Sequence, residues 1–158
     1  MMRLSIVSFV LALVATLLVS CGGPKATTPP PTYSAETISQ LQTVLTPVKT
    51  ARERMSELSN YIQAQDWTNT KTFIHGPLGQ LRQDISYISR NLLPSDQKTA
   101  KPISKDLFFH IEQIDAAAKE ENYDLAAAQF REALDDFDAF LDLVPNNEQS
   151  TVNNEQMS

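Results

Sequence analysis

The sequence predicts an all-α domain: an up-down-up-down antiparallel four-helix bundle. Three observations carry this expectation. Apolar residues recur every three or four positions through four segments between Glu36 and Pro145. No alternating run of β-branched residues bounded by hairpin turns occurs along the chain. The three connections between the segments are short, which makes sequence neighbours antiparallel.

The first segment, about 36–64, carries Ile38, Leu41, Leu45, Val48, Met55 and Ile62 at helical spacing, with Arg52 interrupting the stripe. Pro47 lies inside it and should kink it or set a new start after Leu45-Thr46. The second segment, 66–93, has Asp66 as its expected N-cap and Ile74, Leu78, Leu81, Ile85, Ile88 and Leu92 on one face. Gly76-Pro77 predicts a bend in its early part. Pro94-Ser95-Asp96 is a stop and restart. The third segment aligns Ile103, Leu107, Ile111, Ile114 and Ala118, with Pro102 marking a second candidate bend. Asn122-Tyr123-Asp124 is the next turn, with Asp124 as the expected N-cap. The fourth segment carries Ala126, Phe130, Ala133, Phe137, Phe140, Leu141 and Val144, and Pro145 closes it.

The flanks read differently. Arg3 precedes an apolar run over 4–19, which ends in Leu18-Val19-Ser20-Cys21 with the chain's single cysteine. A positive start, an apolar middle and a small residue before the cut form a secretory signal. The run is short for a bilayer span, which takes about 20 apolar residues. Leu18, Val19 and Ser20 resemble the signal-cleavage motif of a bacterial lipobox, and Cys21 is then the lipid anchor. Each buried acyl methylene contributes about 0.8 kcal/mol, so two chains hold a protein on a membrane without spanning it. With one cysteine no disulfide forms within the chain, and stability must come from packing. Residues 21–35 read as a lipidated N-terminus and Pro-rich tether; 22–35 in polyproline II would reach roughly 40 Å. Residues 146–158 are polar, without periodicity, and read as a disordered tail. Removing 1–20 leaves 138 residues, enough for one domain over 36–145.

The chemistry that bundles usually carry is missing. Di-iron bundles place Glu-x-x-His on inward faces; here Thr72 stands three before His75 and Leu107 three before His110. Haem attachment through Cys-x-x-Cys-His needs a second cysteine. No Gly-rich phosphate loop occurs, the four glycines being Gly22, Gly23, Gly76 and Gly79. No motif supports a nucleophile, so the chain reads as a non-enzyme without an intrinsic cofactor. Asp106 lies one turn before His110, and a divalent metal could sit adventitiously there or at His75. Asp135, Asp136, Asp138 and Asp142 read as a solvated acidic face opposite Phe and Leu.

Charge is unevenly spread. The chain is −6 overall, and removing Arg3 with the signal makes it −7. Residues 67–94 hold Lys71, Arg82 and Arg90 against Asp84, a net of +2. Residues 123–145 hold Arg131 against Asp124, Glu132, Asp135, Asp136, Asp138 and Asp142, a net of −5. Arg90, Lys98, Lys101 and Lys105 should gather near the second turn. A basic pole on an acidic protein is a candidate dock for an acidic protein surface. Nucleic acid is excluded, since its binders need a strongly basic domain.

One stretch is more specific than composition. Trp67 is followed by Phe73-Ile74-His75-Gly76-Pro77-Leu78-Gly79-Gln80-Leu81-Arg82 and by Asn91-Leu92-Leu93. Then come Ala100, Leu107-Phe108, Ile114-Asp115-Ala116-Ala117 and the close from Asp135 to Pro145. These residues resemble the PsbQ family in its cyanobacterial lipoprotein form, over most of 36–145. The resemblance implies a four-helix bundle on the lumenal face of photosystem II, held at the thylakoid membrane by its lipid. It implies an extrinsic subunit that supports the oxygen-evolving manganese–calcium centre without supplying ligands to it, and it associates the family with calcium ion binding. The implied partners are the lumenal domain of an intrinsic antenna protein and other extrinsic subunits. The candidate contact residues are Arg82, Arg90, Lys98, Lys101 and Lys105, with Trp67 and His75 as exposed features beside the Gly76-Pro77 bend.

Two rival readings remain at this stage. Asn122 to Pro145 echoes one tetratricopeptide unit of an exported adaptor, though no second copy stands at 34-residue spacing. A metal-binding lipoprotein using His75, His110 and Asp106 is the other.

Overall fold

The computed structural model describes residues 31–146. The signal, Cys21, the tether as far as residue 30 and the tail from residue 147 lie outside the described residues. Those described form five helices and no strand: α1 Ala35–Gln63, α2 Trp67–His75, α3 Leu81–Asn91, α4 Pro94–Lys119 and α5 Tyr123–Leu143.

The second expected helix is therefore two. Between α2 and α3 the chain makes a tight turn, with Gly79 N–H donating to the Gly76 carbonyl at 2.9 Å and Leu81 N–H to that of Leu78 at 3.1 Å. Pro77 has no N–H to continue α2. The two glycines are required by close approach. A Cβ on Gly76 would meet the Thr72 carbonyl oxygen at 2.9 Å, and one on Gly79 would meet that of His75 at 2.9 Å. Leu78, between them, is buried and anchors the turn to the core.

The other two internal prolines break nothing. α1 runs through Pro47 without a new start, and α4 runs through Pro102. Each proline deprives the carbonyl four residues back of its donor. Those carbonyls belong to Thr43 and Lys98, both exposed residues, where solvent can replace the lost bond. Pro94 occupies the first turn of α4, where a missing N–H costs nothing.

Helix ends explain the chain reversals. Ser34 caps α1, accepting from Thr37 N–H at 3.1 Å. Asp66 caps α2 as expected, accepting from Asn69 N–H at 3.1 Å. The cap of α5 is Asn122, which accepts from Leu125 N–H at 3.1 Å. Asp124, expected in that role, already lies in the first helical turn, where its charge suits the helix dipole. α1 and α4 both end with a residue in the left-handed region, Gln65 (φ 53°) and Glu121 (φ 54°). Beyond them Asp66 N–H reaches the Tyr61 carbonyl and Asn122 N–H that of Ala117, each at 2.9 Å. These are Schellman closures built without glycine.

All five helices contribute to one buried cluster. α4 and α5 pack along each other; α1 contacts α2, α3 and α5; α2 and α3 both contact α4. Met55, Leu58, Ile85, Ile88, Leu107, Ile114, Phe137 and Phe140 are fully enclosed. Arg52, which interrupts the stripe of α1, is half-buried and grips Asp138 of α5 through two 2.7 Å hydrogen bonds. Asp138 is thus part of an α1–α5 clasp and not simply a solvated charge.

Tyr33 departs from the expectation of a tether that stays clear of the core until residue 35. Its ring packs against the core cluster. Its hydroxyl donates to Asp96 Oδ2 at 2.6 Å and accepts from Leu93 N–H at 2.9 Å. Gln42 Nε2 donates to the Pro145 carbonyl at 2.6 Å. Both ends of the folded chain are thereby tied down.

Candidate docking surface

The α2–α3 turn and the antiparallel α4 enclose two adjoining clefts that share Arg82 and Phe108 as a wall. The Arg82 guanidinium lies over the Phe108 ring at 4.2 Å and reaches Glu112 at 2.6 Å. It is therefore stacked and paired, and it fixes the boundary between the clefts.

The first cleft, about 410 Å³, opens beside the turn and is lined by His75, Leu78 and Gly79 on one side and Ile111, Asp115 and Lys119 on the other. Asp115 is its centre. The residue is 7% exposed and lies on the buried stripe of α4. His75 Nε2–H donates to Asp115 Oδ1 at 2.9 Å, and Lys119 Nζ donates to Oδ2 at 2.5 Å. Burial pushes this carboxyl up, but the hydrogen bonds and charges of Lys119 and His75 outweigh it and hold it below the usual carboxylate range.

The second cleft, also about 410 Å³, is a groove between α3 and α4. Arg82 and Arg90 stand on the α3 side, Lys101 and Lys105 on the α4 side, and Ile85, Ser86, Ser89, Ser104 and Phe108 fill the space between. Among the described residues no carboxylate lines it, although Arg82 at its edge is paired with Glu112. Four of the seven expected contact residues thus meet in one groove. Lys98 is exposed one turn before Lys101 and is not part of the lining. Among the described residues, Lys98, Lys101 and Lys105 form no ion pair.

The remaining candidates lie elsewhere. Trp67 is half-buried against the core at the first position of α2, so it is not an exposed neighbour of the turn. Eight residues of helix separate it from His75, about 12 Å at 1.5 Å per residue. His110 faces α5: Nδ1–H donates to Gln129 Oε1 at 2.7 Å, and Nε2 lies 3.6 Å from Asp136 Oδ2. Burial, together with the charges of Asp106, Glu132 and Asp135, raises the Asp136 carboxyl against the opposing pull of His110. His75 and His110 point to different neighbours. Among the described residues no group of three or more His, Cys, Asp or Glu stands where it could hold a metal.

A family model, PsbQ (oxygen evolving enhancer protein 3), matches residues 3–145. The chain belongs to the PsbQ family. A relative, CyanoQ of Synechocystis sp. (strain ATCC 27184 / PCC 6803 / Kazusa), is 49% identical over 142 residues, covering 89% of this chain and 95% of that protein.

In this PsbQ-family chain two features of the surface escaped the sequence reading. Asp115 was legible in principle: a carboxylate between Ile111, Ile114 and Ala118 on an apolar stripe demands a partner. The exclusion of acids from the groove was not, because Asp84, Asp96 and Asp106 are close to its cations in sequence and only the packing angles them away. Among the described residues no helix is long and apolar enough to cross a membrane.

Proposed function

We propose that this protein is an extrinsic, lumenal lipoprotein subunit of photosystem II. The observation that carries the reading is membership of the PsbQ family, with a match that runs through 3–145 and a 49% identical relative. In this reading α2 and α3 are two halves of one arm, and the molecule works as a four-helix bundle. It stabilises the assembled complex and supports oxygen evolution by docking, without catalysis or an intrinsic cofactor. A divalent metal at His75, or at Asp106 and His110, would be adventitious.

The groove between α3 and α4 supports a docking role. Cations gathered on a protein of net charge −6 steer it towards an acidic partner and orient it on arrival. Arg82, Arg90, Lys98, Lys101 and Lys105 form this face, with His75 at its edge; Trp67 serves the fold. Cys21 carries the lipid that keeps the protein at the thylakoid membrane, on the lumenal side. The docking surfaces are those of the intrinsic antenna protein and other extrinsic subunits.

Co-purification tests the reading. The protein, tagged after residue 158, is recovered from gently solubilised photosynthetic membranes. Photosystem II core subunits with oxygen-evolving activity are expected with it. Recovery of a different membrane complex in their place overturns the assignment.

A further inference from the structure

The groove between α3 and α4 has a shape that narrows what it can receive. Arg82 and Arg90 are eight residues apart on α3, about 12 Å along the helix, and Lys101 and Lys105 on α4 are about 6 Å apart. A single phosphate, sulfate or carboxylate cannot touch all four. Two of the three serines do not compensate, and Ser86, whose Oγ accepts from Arg90 at 3.2 Å, leaves a single neutral donor: Ser89 Oγ–H donates to the Ile85 carbonyl at 2.8 Å and Ser104 Oγ–H to that of Ala100 at 2.7 Å. The protons of Ser89 and Ser104 are committed to the helices, so these two offer an anion no donor. The groove therefore lacks the converging neutral donors of a small-anion site and presents two separated rows of charge.

Between the rows the surface is mostly carbon. Arginine and lysine stems are apolar along their length, and Ile85 and Phe108 add apolar lining between them. Arg82 is held by Glu112 and Phe108, and Arg90 by Ser86 at 3.2 Å, so the α3 row is pre-arranged. The α4 row, Lys101 and Lys105, has no internal ion pair among the described residues and is available to a partner.

We infer that this groove receives a short acidic segment of a partner protein, with carboxylates along both edges and an apolar side chain between them. Charge complementarity selects it, and the spacing of Arg82 and Arg90 along α3, about 12 Å, requires an elongated ligand. The inference rests on the docking role proposed above and adds where the partner is held and what its segment must look like. A membrane surface is the competing occupant; its headgroups could satisfy the lysines but would not insert an apolar group between the rows.

The test uses the full chain in solubilised photosynthetic membranes, treated with a water-soluble carbodiimide, which joins an amine directly to a carboxylate in contact with it. Mass spectrometry should find Lys101 and Lys105 amide-linked to Asp or Glu residues of one segment in a partner. The variant K101E/K105E, at exposed positions, should keep its helical circular dichroism and lose about tenfold or more of its bound fraction at low salt. Cross-links confined to other lysines such as Lys49 or Lys71, or full co-purification of K101E/K105E, overturn the groove while leaving the photosystem II reading intact. Links from Lys101 and Lys105 to a protein of another complex overturn that reading and keep the groove. If the Cys21→Ser form binds vesicles of anionic lipid through these lysines and no protein cross-link involves them, the occupant is a membrane and the inference fails.

Discussion

His75 and Asp115 are forty residues apart in sequence and 2.9 Å apart in space. The bond ties the last residue of α2 to the C-terminal part of α4, one turn before its end. With Lys119 it surrounds a largely buried carboxylate, and such a group is costly when its partners are lost.

Asp115→Asn should lower stability by about 1–3 kcal/mol near neutral pH, since a charged acceptor of two bonds is replaced by a neutral amide. The pH dependence has a definite sign. A carboxyl held below its unfolded value of about 3.9 contributes stability above that value and loses it as pH falls through the folded one. The gap between Asp115→Asn and the parent, read by urea unfolding, should therefore close in acid. A gap that stays constant down to the acid limb removes the ionic account of this site.

Gly79→Ala should destabilise by about 1–3 kcal/mol, because the new methyl would press on backbone oxygens that cannot rotate away. The contacts are the carbonyls of His75 at 2.9 Å and Gly76 at 3.1 Å. Thermal unfolding followed by circular dichroism checks this; an unchanged midpoint would mean the turn can relax.

Gln65→Gly and Glu121→Gly should each stabilise by about 0.5–1 kcal/mol. Both positions hold the left-handed conformation, which penalises a side chain but not glycine. The two lie in separate connections, so their effects should add. The double variant's melting temperature is the measurement, and a fall would show that the side chains themselves anchor these corners.

Tyr33→Phe should cost about 1 kcal/mol through the loss of the bonds to Asp96 and Leu93. Burial and the Asp96 hydrogen bond push the phenol up to about 12. Its stabilisation is thus complete below the unfolded value of about 10 and is lost as pH rises through about 12. Absorbance titration of the phenolates should show one late-titrating tyrosine that is missing from the variant.

Cys21→Ser should release the mature protein from membranes after a salt wash weakens its docking contacts, because the proposed lipid is what holds it against salt. Membrane fractionation after a salt wash checks it: retention at parental levels would contradict lipidation.

Helix periodicity placed four helical segments and their buried faces, the second of which the structure divides into α2 and α3. Leu41, Leu45, Ile85, Ile111 and Phe137 recur on one side of a helix, and burial of that side is the only use for such spacing. The same local signal made Asp66 an N-cap, and at Gly76-Pro77 it gave a bend where the chain leaves the helix and restarts at Leu81. Family membership was also legible, because it rests on residue order.

Tertiary structure decided what depends on distance across the fold. Whether Pro47 breaks a helix turned on the exposure of Thr43, and whether Asn122 or Asp124 caps α5 turned on backbone angles set by the preceding Schellman closure. Tyr33 looked like tether until Leu93 and Asp96 were brought to it. The basic residues could be counted in the sequence. Their division into two rows, with Glu112 pairing Arg82 alone and the protons of Ser89 and Ser104 turned inward, follows from how α3 and α4 pack. Periodicity records which side of a helix is apolar; it does not record which charged neighbours a second helix will bring within 3 Å.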